Sequence, residues 1–391
     1  MKWTKFDTRW MLSLFGTAVG AGILFLPIRA GTGGFWPVVV MTILIFPMVW
    51  LSHRALSRFV NESQSVEHDI THAAEEYWGR NTSFFINQLQ LTSLYDSQTM
   101  QLYPSVRAIL AFVLVSAMMS IMLLKEETIT KACNILVYPL CLVLFAFSFY
   151  LIPHWKLEII QTAPSAKDFI EVVWLTLPVL VFSFNHSPAI STFTLSVRRE
   201  YGEASSQKAN QILFRTAVML LIFVMFFVFS CILCLDSTDF QAAREANIPI
   251  LSYFANKLNV PFIAYGAPLV AFLAIVTSFF GHYFGAYEGL NGILRKAIKM
   301  SGNENPNIKG IKIFSTIFMY VTIIVVAYLN PSILGFIEDL GGPIIAMILF
   351  IMPMIAIWGV SKLKKYKNPA LDIFVIITGI LTITSVVYKL L

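Results

Sequence analysis

Apolar stretches of about 18 to 25 residues, long enough to cross a bilayer, recur along this chain with polar intervals between them. They occupy residues 10–29, 36–59, 106–124, 133–152, 172–196, 212–235, 260–284, 311–329, 333–357 and 372–390. Runs of this length with few charges predict transmembrane helices, so the pattern predicts an all-α membrane protein with ten clear spans. One interval breaks the rhythm: "NTSFFINQLQLTSLYDSQTMQLYPS" is apolar only in patches and carries Asp96. An aspartate costs about 2.5–3.5 kcal/mol at a helix centre, so residues 80–105 read as a degraded span.

Two of the spans are weakened at mid-length. In "WMLSLFGTAVGAGILFLPIRAG" the centre holds Gly16, Thr17, Gly20 and Gly22, and in "VFSFNHSPAIS" it holds Asn185, His186, Ser187 and Pro188. Glycine lowers helix propensity, and proline removes an amide donor and clashes with the preceding turn, so both spans are predisposed to open into half-helices. Unpaired backbone at membrane depth is tolerated only where it lines a protein or water cavity. Such breaks mark transporters with inverted repeats, in which half-helix N-termini face a substrate carboxylate and freed carbonyls face its ammonium. On this reading the amides of Gly20, Ala21 and Gly22 cradle the carboxylate. Carbonyls near Thr17 and Phe182 take the ammonium, and Ser183, Asn185 or Ser187 reaches the side chain. The competing reading is that the glycines allow close helix packing and Pro188 makes a kink.

Composition excludes a water-soluble alternative. Of 391 residues 57% are hydrophobic and 13% charged, with 33 Phe and a mean hydropathy of +0.72. The net charge of +6 does not point to nucleic acid, because the basic residues fall in short clusters between oily runs. Lys125 and Lys131, then Arg198, Arg199 and Lys208, then Arg295, Lys296 and Lys299, then Lys362, Lys364, Lys365 and Lys367 occupy alternate loops, which the positive-inside rule makes cytoplasmic. Lys2, Lys5 and Arg9 before the first span, with Arg54 and Arg58 at the end of the second, place those ends inside as well, including the N-terminus. The two assignments agree only if an odd number of crossings lies between residues 60 and 105. Repeat symmetry asks for the same thing, since the broken spans stand first and fifth, an even offset, where units of opposite topology need an odd one.

The start "MKWTKFDTRW" resembles a signal peptide, but many further spans follow, and it is read as a retained first helix. Cys133, Cys141, Cys231 and Cys234 all lie in apolar runs; the CxxC they include has no nearby His or Asp and reads as core, not as a metal site.

The stretches "GTAVGAGILFLPI", "VFSFNHSPAIS", "SFFGHYFGAYEG" and "NPSILGFIEDLGGPIIAMILFIMP" resemble the serine-transporter branch of the hydroxy and aromatic amino acid permeases, within the amino acid, polyamine and organocation superfamily. The resemblance covers nearly the whole chain. It implies a single transmembrane transporter domain over 1–391: a first repeat at about 10–152, a second at about 172–357 and an extra helix at 372–390. It also implies residence in the bacterial inner membrane, eleven helices, and symport of L-serine or a similar small amino acid, usually with protons. The chain departs from that pattern in lacking a hydrophobic third helix, which in this fold lines the substrate site. A transport-inactive remnant of such a permease is therefore the alternative function.

Other residues supply supporting roles. His186, near mid-span, suits a hydrogen bond to substrate or a proton relay. Thr277 and Ser278 form a hydroxyl pair that completes the site, coordinates Na+ with carbonyls of the first helix, or bonds back to its own helix. The coupling ion is expected to be H+, with Na+ as the other option; no cofactor is expected. Arg29 at the outer end of the first span and Glu338 with Asp339 at the outer end of the ninth are placed to pair as an outer gate. The segment "DSTDFQAAREANIPILSYFANKL" is expected to form outer-surface helices, and "RREYGEASSQK" a solvated connector. An intramembrane enzyme would need clustered carboxylates, a metal-ligand pair or a nucleophile with its base, and a channel would need repeated polar rings; neither pattern is present. A monomer in the lipid bilayer is expected, because the fold contains its whole pathway.

Overall fold

Every regular element among the described residues is helical, as hydrogen-bond closure within the segment requires of a chain in lipid. The computed structural model describes residues 2–79, 104–258, 260–329 and 333–390. The degraded span assigned to 80–105 lies almost wholly outside these residues.

The helices follow the apolar pattern. α1 (Lys5–Ala18) and α2 (Ala21–Ala30) form the first span, bent by 53° at its break, and α3 (Phe35–Asn61) is the second. A short α4 (Ile70–Trp78) precedes α5 (Pro104–Met122) and α6 (Glu126–Leu151). The second broken span is α7 (Ala166–Ser183) with α8 (Ser187–Tyr201), followed by α9 (Ser205–Ile232). Two short helices, α10 (Ser237–Glu245) and α11 (Ile250–Leu258), fill the polar segment expected to be helical. α12 (Pro261–Met300), α13 (Ile308–Leu329), α14 (Ile333–Gly359) and α15 (Pro369–Leu390) complete the bundle. By length and composition seven described helices can cross a membrane, and the bent α1–α2 pair makes an eighth.

One boundary differs markedly. The apolar window at 260–284 becomes a 40-residue helix, because the mixed continuation "YEGLNGILRKAIKM" keeps helical packing after its hydropathy falls.

The basic clusters gather at one end of the bundle. Arg9 of α1 meets Glu127 of α6 at 3.3 Å, Lys362 and Lys365 after α14 meet Glu76 and Glu62 at 2.9 and 2.8 Å, and Arg198 at the end of α8 donates to the carbonyls of Ser63 and Ser65. The loop read as a solvated connector is instead anchored. Lys208, fully buried, pairs with the equally buried Asp7 at 2.5 Å, and Tyr201 donates to the same carboxylate at 2.8 Å. Burying an ion pair is tolerable only when its remaining donors are satisfied, and Lys208 also donates to the Lys2 carbonyl at 2.7 Å.

Candidate functional site

The first break is two residues long. α1 ends at Ala18, Val19 and Gly20 leave helical geometry, and α2 starts at Ala21 with no side chain capping it. The first amides of an uncapped helix are free to bind an anion, which suits Ala21 and Gly22. Gly20 does not join them, because its N–H turns back to the Ala18 carbonyl at 2.9 Å. Thr17 is also differently used: its hydroxyl donates to the Ser13 carbonyl at 2.8 Å, and its own carbonyl accepts from Ser278 at 3.0 Å. The carbonyl expected for an ammonium is therefore taken by a neighbouring helix.

Gly16 and Gly22 lie inside helices and serve close packing, the competing reading of the sequence. A methyl carbon at Gly16 would stand 2.7 Å from Val137, and one at Gly22 would stand 2.8 Å from the Cα of Ser183. The second of these contacts brings the two broken spans together.

The second break covers Phe184, Asn185 and His186. Pro188 falls in the first turn of α8, where its missing N–H costs nothing, so it begins a half-helix and does not kink a whole one. The Phe182 carbonyl is engaged by the Asn185 amide at 3.1 Å, and the Ser183 hydroxyl by the Val179 carbonyl at 2.7 Å, so neither is open as expected. The Phe182 ring lies between Gly22 of α2 and Gly341 of α14. Asn185 uses Oδ1 to accept the Ser187 amide at 3.0 Å, leaving its buried Nδ2 without a partner.

His186 is held by a residue that the sequence did not single out. Its ring stacks on His53 of α3, with centroids 3.6 Å apart and planes 10° from parallel. The His186 amide donates to His53 Nε2 at 3.2 Å, which requires the His53 proton on Nδ1, where it meets the Val49 carbonyl at 2.8 Å. His186 Nδ1 lies 3.2 Å from the Phe184 carbonyl, and donation there leaves Nε2 as a bare acceptor. That Nε2 is buried and unpartnered. The break thus presents one unmatched donor, Asn185 Nδ2, beside one unmatched acceptor, His186 Nε2.

α12 lies along both breaks. Thr277 bonds back to the Leu273 and Ala274 carbonyls at 2.9 and 3.2 Å, whereas Ser278 crosses to Thr17. Gly281 packs so tightly on Thr17 that any side chain there would overlap it, and a methyl carbon at Gly285 would stand 2.7 Å from Pro188. Of the expected pair, one hydroxyl closes its own helix and the other ties α12 to the first break.

At the end away from the basic clusters, Arg29 Nε lies 3.6 Å from Glu338, which is 1% exposed. Glu338 also takes a two-pronged contact from Arg244 of α10 at 3.2 and 2.8 Å, a partner that sequence spacing could not supply. Asp339 lies in an exposed position.

Comparison with known proteins adds what geometry alone leaves open. Residues 10–390 match the tryptophan/tyrosine permease family. The chain belongs to that family. Among its relatives, the serine transporter SdaC of Escherichia coli (strain K12) is 44% identical over 411 residues, covering 99% of this chain and 96% of that protein. That stretch is longer than the 391 residues available, so the pairing leaves gaps on this chain's side. The threonine/serine transporter TdcC of Edwardsiella tarda is 37% identical, covering 100% of this chain and 96% of that protein.

Two solved structures share the fold. Mhp1, a nucleobase-cation-symport-1 family transporter in a closed conformation, matches with a TM-score of 0.54 at 11% identity, covering 98% of this chain and 92% of that one. A Na+-coupled sialic acid symporter in an outward-open state matches with a TM-score of 0.51 at 13% identity, covering 97% and 89%. A permease of this family is a membrane transporter and not an enzyme.

Proposed function

We propose that this chain imports L-serine or a similar small amino acid across the bacterial inner membrane as a proton-coupled symporter. The names of its relatives SdaC and TdcC support the substrate class. The observation that carries the site is the meeting of the uncapped start of α2 with a break in which Asn185 Nδ2 and His186 Nε2 lack partners. Buried polar groups without partners are costly, and a zwitterion with a hydroxyl supplies what each one needs.

In this reading the amides of Ala21 and Gly22 receive the carboxylate. His186 Nε2 accepts from the ammonium, and Asn185 Nδ2 donates to the side-chain oxygen, with the Ser187 hydroxyl beside it. Phe182 covers the substrate from the side of the Arg29–Glu338 cluster, which acts as the outer gate. The basic end faces the cytoplasm and carries the N-terminus. Ten spans are assigned to the described pattern: the two broken pairs α1–α2 and α7–α8, with α3, α5, α6, α9, α12, α13, α14 and α15. They are arranged as two inverted repeats with α15 outside them, and the protein works as a monomer. Protons are proposed as the coupling ion, with Na+ as the other option.

Uptake of radiolabelled L-serine by a bacterial strain lacking its own serine transporters tests the reading. Uptake that falls with Asn185→Ala or His186→Ala is expected. A chain that inserts normally in the membrane yet takes up no serine would establish the inactive remnant instead.

A further inference from the structure

The glycine stripe of α12 continues toward the basic end and finishes at Glu288, a residue the site above does not use. Gly281, Gly285 and Glu288 follow at helical spacing, and their neighbours are Thr17, Pro188 and Thr192 in turn. The carboxylate therefore lies against α8 on the way from the second break to the basic end. At 1.5 Å per residue it is about 15 Å from Ser278 along the helix.

Its two oxygens are treated differently. Oε1 accepts from the Thr192 hydroxyl at 2.9 Å, joining α12 to α8. Oε2 is sealed from solvent and lacks a hydrogen-bond partner. Burying the charge of an ionised carboxylate is costly, and a proton on Oε2 removes that charge altogether.

The charged groups facing this carboxylate are known from each neighbouring element. From α4 it is Asp69, where burial pushes the carboxyl up but hydrogen bonds from His72 and Thr71, with the charge of His72, hold it down at about 2. Asp69 is thus a fixed negative charge at neutral pH. From the start of α6 it is Glu126, whose Oε1 accepts from Ser196 of α8 at 2.5 Å. From α8 itself there are only hydroxyls, Thr192 and Ser191; the Ser191 oxygen accepts from the Ile70 amide at 2.9 Å, which leaves its own proton facing Glu288. The cations further along α12 are directed at α4: Lys296 donates to the Thr71 carbonyl at 2.8 Å, and Arg295 lies 3.7 Å from Glu75.

We propose that Glu288 carries the coupled proton and that its contact with Thr192 is the latch that holds the cytoplasmic end shut. The step is a proton transfer alone. A proton forms an O–H bond at Oε2 while the opposite end is open, neutralising the carboxylate. When α8 moves away from α12 the acid meets cytoplasmic water, the O–H bond breaks, and the proton leaves with the serine. One positive charge then accompanies each zwitterion.

This inference rests on the import reading above, and the test separates the two. Purified full-length protein in liposomes is given an acid exterior and radiolabelled serine, and in a second arm is given serine on both sides with no gradient. Glu288→Gln keeps the oxygen that accepts from Thr192 but cannot ionise. The variant is expected to lose accumulation against a gradient while still exchanging serine, and its exchange is expected to lose the pH dependence shown by the parent. Thr192→Val, which removes only the latch, is expected to speed the reaction of Cys133, buried on α6 beside Gly16, with a thiol reagent applied from the cytoplasmic side in the absence of serine. Accumulation by Glu288→Gln at the parent's level overturns the proposal, and so does loss of exchange together with accumulation. A parent protein that exchanges serine without responding to the acid gradient rejects proton coupling itself, whatever the variant does.

Discussion

His186 illustrates how the surroundings of a residue fix the face it presents. The stacked ring of His53 sets the plane of the His186 ring, and the Phe184 carbonyl beside Nδ1 fixes which nitrogen faces the break. Replacing His53 by Leu would leave the His186 amide buried without an acceptor, at a cost of about 1–3 kcal/mol. His53→Leu is therefore expected to weaken serine binding although His53 does not face the substrate. Asn185→Ala removes one hydrogen bond of about 0.5–1.5 kcal/mol, a two- to twelvefold rise in Kd by direct binding of radiolabelled serine. An unchanged Kd in both variants would show that the substrate sits elsewhere. Asn185, His186 and Ser187 stood out in the sequence because polar groups are rare at mid-span. His53, Arg244 and Glu288 did not, since each earns its place through a helix distant in sequence: α8, α14 and α8 in turn. The close packing of Gly16 on Val137 and of Gly22 on Ser183 could not be read from spacing, because a packing glycine and a hinge glycine look the same until the neighbour is known.

At the scale of elements, the breaks were legible and their boundaries were not. The local chemistry of Gly20 and Pro188 fixed where the helices stop, but the carbonyls left open depended on which neighbour came to fill them, as Ser278 does at Thr17. The polar segment that became α10 and α11 shows how a surface element is held. Burial pushes the Asp239 carboxyl up, but bonds from Lys257 at 2.6 Å, the Asp236 amide and Tyr253 outweigh it and hold the group below the ordinary range. A carboxyl depressed in the folded state stabilises above its unfolded pKa of about 3.9, and that contribution disappears as pH falls through the lower folded value. Protection from hydrogen exchange over residues 237–258, corrected for the intrinsic rate, is expected to fall on acidification below pH about 4, and in Asp239→Asn already at neutral pH. Exchange in Asp239→Asn that matched the parent at neutral pH would show that the carboxylate does not hold this cap. The Asp7–Lys208 pair plays the corresponding part at the other end of the bundle. Lys208→Ala strands a buried carboxylate, a loss of about 3–5 kcal/mol, and a lower melting temperature in detergent is the expected sign.

For the whole molecule, the proposed closures of the two ends differ in chemistry. In the proposed reading one end is shut by Glu338, which lies between Arg29 and Arg244, and the other by Glu288 against Thr192. Glu338→Gln leaves two arginines without their shared charge, so the outer end is expected to open. A thiol introduced by Ala21→Cys should then react faster with an impermeant reagent applied from outside, and an unchanged rate would mean that the cluster is only an anchor. The account as a whole rests on two interrupted helices gripping an amino acid between them. An experimental structure of the full chain with L-serine bound tests that most directly. The prediction is substrate density between the start of α2 and residues 184–187, its carboxylate on the amides of Ala21 and Gly22. Serine bound away from both interruptions, or unbroken helix through residues 16–22 and 182–188, would contradict it.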